Sequence, residues 1–161
     1  MTNIAREILF ETSPQLLDAA AFLSSADQEV INLFSKYERA QSMVEKQKLV
    51  EKICKALTIN MQIEEEILYP AIQVALKEKG MVSAAKMNRA ILKYLISEIK
   101  SIDANSDTYD IKIKVLSEQA KHTVKERQGK LFPKVKATGK IDLWKLGTQL
   151  ALRKEELFGT K

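Results

Sequence analysis

Apolar positions recur at steps of three and four along most of this chain, the spacing that lays one face of an α-helix against a core. Ala20, Leu23, Asp27, Val30, Phe34 and Tyr37 form one such seam. Ile53, Leu57, Asn60, Glu64, Ile67, Ala71 and Val74 form a second. Val82, Ala85, Arg89, Leu92, Ile96 and Ile99 form a third, and Ile113, Leu116, Ala120, Thr123 and Arg127 a fourth. Thr12 and Ser13 before Pro14 supply a hydroxyl cap and a first-turn proline, which start a helix running to about Ala40. The next helix runs from about Val44 to Lys79, with Gly80 as its stop and Pro70 bending it a turn beyond Glu64. A third spans about Val82 to Ile102. The polar segment Asp103 to Thr108 favours a turn and caps a fourth helix from about Tyr109 to Val135. After the break at Ala137 to Lys140, a last amphipathic helix from about Asp142 to Phe158 carries Leu143, Leu146, Leu150 and Leu157 with Trp144, and is expected to cover one side of the others. Residues 1–12, with Ile4, Ile8, Leu9 and Phe10, read as an arm preceding a single domain over 13–161. The pattern predicts an all-α fold, with these helices packed in a bundle and an extra C-terminal helix.

Each seam is interrupted at its middle by polar residues: Asp27, Asn60 with Glu64, Arg89, and Thr123 with Arg127. An unpaired charge in a bundle interior costs several kcal/mol or is lost by a pKa shift, so each carboxylate must face something cationic. Bundles that hold two metals place Glu and His from facing helices in such a layer. Borderline transition metals want imidazole beside carboxylate, yet the chain has one histidine, His122.

Composition narrows the class. A length of 161 residues with 45% hydrophobic and 29% charged residues suits one globular domain, and three prolines with five glycines leave few helix breaks. No run of eighteen apolar residues suggests a membrane span, and MTNIAREILFETS lacks a secretory signal pattern, so a cytoplasmic location is expected. Cys54 has no partner cysteine and reads as a reduced packing residue. The net charge of +5 is uneven: residues 121–161 carry eleven Lys or Arg against four acids. That basic C-terminal surface reads as solvated lysine faces; it could also meet an acidic partner, but aromatics are sparse there and no motif points to nucleic acid.

The segment LTINMQIEEEILYPAI resembles the hemerythrin-like, HHE cation-binding family, which shows a histidine four residues before a glutamate ahead of a YP pair. KHTVKERQGKLFPKVK is similar to the family's KHHVEEEEGELFP. DAAAFLSSADQEVINLFSKYE looks like its first helix with a DH pair, and the third-helix segment looks like its EHxxxK helix. The resemblance covers roughly residues 15 to 158 and implies the family's fold, an all-α, antiparallel up-down four-helix bundle. Carried over position by position, Asp27 stands where the first-helix histidine belongs, Asn60 replaces the histidine before the retained Glu64, and Arg89 replaces the third-helix histidine. Thr123 and Arg127 match a histidine and a glutamate. A register shifted by one would instead pair His122 with Glu126.

Two expectations follow. In the first, Arg89 and Arg127 supply the positive charge that two irons supply in the family. They would pair with Asp27 and Glu64, with Asn60 and Thr123 bridging, in a layer without metal or cofactor, because a guanidinium fork suits a carboxylate. In the alternative, a divalent ion, iron in the family, binds through Asp27, Glu64, His122 and Glu126 with reduced affinity. Glu65 and Glu66 read as a solvated outer face, and Lys93 as a lysine that either feels the same carboxylates or snorkels outward. No nucleophile with its base and no phosphate loop is visible. The sequence therefore points to a non-enzymatic binding or regulatory module.

Overall fold

The structure, a computed structural model, describes residues 17–77 and 79–159. Helix α1, Ala19–Arg39, starts where the Asp18 carboxylate accepts a hydrogen bond from the Ala21 N–H at 2.8 Å. Leu17 and Asp18 are not helical, so α1 begins later than the expected start at Thr12 to Pro14, which lies outside the described residues together with the arm. Ser42 caps α2, Met43–Ile63, by accepting from the Glu45 N–H.

Beyond Ile63 the backbone does not simply bend. It forms one π-helical turn, Glu64–Leu68, before resuming as α3, Tyr69–Leu76. The cause is Pro70, which has no N–H to give; the Tyr69 N–H reaches back five residues to the Glu64 carbonyl. The same device recurs on the other side of the bundle. There α5, Tyr109–Glu126, passes through a π-helical turn, Arg127–Leu131, into α6, Phe132–Thr138, and the Phe132 N–H bonds the Arg127 carbonyl ahead of Pro133. Between these halves lies α4, Lys79–Ser101.

A π-helical turn adds one residue, so every position after it is rotated by one step. The expected seam Ile67, Ala71, Val74 is therefore replaced by Leu68 and Ile72, both fully buried, while Val74 is 79% exposed. The stop also moves. α3 ends at Lys77, which adopts the left-handed conformation (φ 52°), and Gly80 lies inside the first turn of α4 instead of ending the previous helix. In the α4–α5 connection, the Asp103 carboxylate accepts from the Asn105 N–H at 2.9 Å, making a turn, but Thr108 gives α5 no side-chain cap.

The last helix, α7, Leu143–Gly159, packs along α1, α2 and the first π-helical turn. Leu146, Gly147 and Leu150 face inward while Trp144 is exposed. Gly147 is there because the chain entering α1 crosses it: a Cβ would lie 2.1 Å from the Leu17 carbonyl oxygen and 2.7 Å from the Asp18 carbonyl carbon. Backbone cannot yield as a side-chain tip can. Gly147→Ala is expected to cost about 1–3 kcal/mol by overpacking, read as a lower melting temperature, and an unchanged one would show that α7 does not seat against Leu17.

The apolar core falls into two clusters. One gathers Val30, Phe34, Ile53, Leu57, Leu92, Ile96, Ile113 and Leu116; the other gathers Leu23, Ile63, Leu68, Ile72, Leu131, Phe132, Val135 and Leu150. In α1, in the α2–α3 helix and in the α5–α6 helix, polar residues stand between members of the two. Cys54 is buried, and desolvation raises its thiol pKa, so it stays protonated as a packing residue. Among the described residues no helix is long and apolar enough to cross a membrane.

Candidate functional site

The six polar positions of the predicted seams are all buried: Asp27, Asn60, Glu64, Arg89, Thr123 and Arg127 are each less than a tenth exposed. Their pairing is not the symmetric one expected. Arg127 alone serves both acids. Its Nη1 lies 3.2 Å and 3.3 Å from the two Asp27 carboxylate oxygens and 3.1 Å from Glu64 Oε1, and its Nη2 lies 3.4 Å from Asp27 Oδ1. Gln128 Nε2 donates to Asp27 Oδ2 at 3.3 Å, a contact that the helical repeat alone did not suggest.

Arg89 goes elsewhere. Its guanidinium stacks on the Tyr69 ring, 4.3 Å from the centroid, where a desolvated cation is attracted by the ring face. Its nearest carboxylate is Glu65, 3.4 Å from Nε, and Glu65 also holds Lys93. Glu66 takes a fork from Arg153 of α7, at 2.8 Å and 3.3 Å. The expectation that Glu65 and Glu66 are merely solvated is thus corrected, because α4 and α7 each bring a cation over that face.

Asn60 and Thr123 do not bridge the acids. Thr123 turns its hydroxyl back to the Gln119 carbonyl at 3.0 Å, and Asn60 Oδ1 has no partner among the described residues. A void of about 20 Å³ lined by Asp27, Asn60, Glu64, Thr123 and Arg127 has room for one water, which would satisfy that oxygen. Arg127 Nε and Arg89 Nε and Nη1 also lack hydrogen-bond partners.

The register alternative fails on geometry. His122 is exposed, and Glu126, partly exposed, pairs with Lys130 at 3.1 Å. Neither joins Asp27 and Glu64, and among the described residues no three His, Cys, Asp or Glu side chains are grouped as metal ligands would be. The donor set does not fit iron: it holds two carboxylates and no imidazole, with a guanidinium nitrogen in the space between the carboxylates.

Two acids sharing one guanidinium in a desolvated layer leave a negative charge in excess. Burial pushes both Asp27 and Glu64 above the usual carboxylate range, against the pull of Arg127. A carboxylate whose pKa is raised by folding adds stability that is complete below its unfolded pKa and is lost as pH rises through the folded one. Glu66, Glu98 and Asp110 behave oppositely. Hydrogen bonds from Arg153, Tyr94 and Tyr37 respectively lower them, so their contribution survives until pH falls below the ordinary carboxylate range. Unfolding free energy is therefore expected to rise from pH 7.5 to pH 5, and Asp27→Asn to flatten that rise. Urea titrations at both pH values check it, and a fall in the wild-type chain would contradict it.

By sequence, no protein-family model and no curated protein matches this chain. By structure it is similar to a hemerythrin HHE cation-binding domain-containing protein from Mycobacterium kansasii, with a TM-score of 0.76 and 19% identity over 89% of each chain. The fold is that of the hemerythrin-like helical bundle.

Proposed function

We propose that this hemerythrin-like bundle is a non-enzymatic binding or regulatory module in which a guanidinium has taken the electrostatic place of a dimetal centre. The observation that carries this reading is Arg127 Nη1 standing within 3.2 Å of both Asp27 and Glu64. A cation fixed there offsets part of the acids' charge and would repel a second, divalent one. Oxygen carriage and iron redox chemistry are not served by such a layer, and no other cluster of the sequence supplies them.

Growth with added iron, followed by elemental analysis and an ultraviolet-visible spectrum, tests the proposal. The expected result is background iron and no oxo-to-iron bands; near two irons per chain would overturn it. Exposed Lys121, Lys125, Lys136, Lys140 and Lys145, which have no carboxylate partner among the described residues, favour an acidic partner. Its complex should weaken as salt rises, and salt-independent capture would remove these lysines from the interface.

A further inference from the structure

The outer face of the α4–α5 pair is apolar in its middle. Met87, Ile91 and Tyr94 on α4, with Ile111 and Val115 on α5, are each between 43% and 68% exposed. On either helix they recur at steps of three or four, which makes one stripe. Two hydrogen bonds between the helices, from Lys112 to Glu98 at 3.0 Å and from Gln119 to Asn88 at 3.4 Å, fix how the pair is aligned. That alignment sets Ile91 and Tyr94 level with Val115 and brings Ile111 beside Glu98, so the two stripes merge into one patch. Single apolar residues are ordinary on a surface, whereas a contiguous patch on neighbouring helices marks a contact site.

The two ends of this face carry opposite charge. At the α4–α5 connection, Asp103 and Asp107 are exposed and paired with no cation among the described residues, while Glu98 is held by Lys112 and Lys100 turns to the α2 side. At the far end Lys86, Lys121 and Lys125 are exposed and paired with no carboxylate among the described residues, and Glu126 is held by Lys130. Between them, Lys114 and Glu118 offset each other. The acidic and basic ends stand about 25 Å apart at the helical rise of about 1.5 Å per residue.

A second copy of the chain complements all three regions at once. Two copies meeting face to face are related by a twofold axis lying in the plane of contact. Were that axis parallel to the helices, acidic end would meet acidic end. Turned across them, it lays α4 antiparallel on its counterpart, sets each acidic end on the other copy's basic end and joins the apolar centres. An acidic peptide would match the basic end alone, and an anionic membrane would be repelled by Asp103 and Asp107.

We propose that the α4–α5 face is a self-association surface on which a second copy of this chain docks antiparallel about that crosswise twofold axis. Five apolar side chains are far fewer than the roughly 20–30 residues a side of a standard interface, so the dimer is weak and concentration-dependent. It goes beyond the reading of the polar layer and stands whether or not that layer takes iron.

Sedimentation equilibrium of the full chain from about 1 to about 500 μM, a range that brackets weak association, tests this. The average mass is expected to climb from that of one chain towards that of two. Tyr94→Lys, which places like charges close to the axis, should weaken association about tenfold or more without lowering the melting temperature of the dilute chain; should that variant not fold, Ile111→Lys takes its place. Lys121→Asp with Lys125→Asp, and separately Asp103→Lys with Asp107→Lys, should each weaken it severalfold. All four changes together exchange the charges of the two ends and should restore it, a rescue that general stickiness would not give. A chain monomeric throughout, a dimer indifferent to Tyr94→Lys, or reversals at single ends without rescue would each overturn the assignment. So would a monomer in which residues 1–16 cover the patch, or one whose Met87, Ile91 and Val115 amides shift with anionic vesicles, which would give the face to a membrane.

Discussion

Arg127→Ala is expected to destabilise this protein by about 3–5 kcal/mol, the usual cost of removing one partner from a buried ionic group. For a chain of this size that corresponds to a fall in melting temperature of the order of 10 °C. Without the guanidinium, Asp27 and Glu64 would face each other across the bundle with only Gln128 donating to one of them. Arg89 offers a contrast at similar burial. It touches neither acid directly and stacks on Tyr69, so Arg89→Ala should cost less, about 1–2 kcal/mol from the lost stacking and packing. A third variant separates charge from fold. Asp27→Leu, Glu64→Leu and Arg127→Met together remove the acids with their cation, and should recover most of the stability lost in Arg127→Ala, because apolar replacement of a whole buried ionic cluster is often neutral or better. Urea unfolding of the three variants reads the result. Were Arg89→Ala the more damaging of the two single changes, Arg127 would not be the hub of the layer.

The depth of each polar residue was legible from spacing alone, because a three-and-four repeat forces Asp27, Asn60, Glu64, Arg89, Thr123 and Arg127 onto inward faces whatever they pair with. The pairing was not legible, since it depends on how two arginines divide three carboxylates across helices. Arg89, in its expected seam, meets Tyr69 and Glu65, the residue next to Glu64, and not Glu64 itself. The π-helical turns were missed for a related reason: a straight helical repeat carried past Pro70 selects Ile67 and Ala71, although the added residue brings Leu68 and Ile72 inward.

A signal for that turn exists in the sequence. Asn60, Glu64, Leu68, Tyr69 and Pro70 recur 63 residues later as Thr123, Arg127, Leu131, Phe132 and Pro133, and both segments form the same turn. Glu64 and Arg127 occupy equivalent places in the two halves and carry opposite charges. That equivalence marks them as partners across the layer, more directly than the position of either on its own helix. The start of α1 had its own local signal, Asp18 before a run of three alanines, which the Thr-Ser-Pro cap signal upstream obscured.

If arginine has displaced metal, undoing the displacement should restore metal binding. The combined variant Asp27→His, Asn60→His, Arg89→His, Thr123→His and Arg127→Glu is expected to take up divalent metal, at about one to two ions per chain, where the parent takes none. The argument is one of charge and donor type. The two acids of the parent layer share one internal cation, which is covalently fixed, whereas the variant offers two carboxylates and four imidazoles, with both guanidinium groups removed, on the buried faces of four helices. Arg127→Glu by itself should fail, since it adds a third acid to a layer without its central cation. Zinc is the informative first probe because it is redox-silent and tolerates varied geometry. The metal-free variant should be less stable than the parent and gain stability with zinc, as any ligand that binds only the folded state requires. Zinc content by elemental analysis and the zinc-dependent change in melting temperature are the readouts. A folded variant with no zinc and no thermal response would mean that the layer shares the family's depth in the bundle without its ligand geometry.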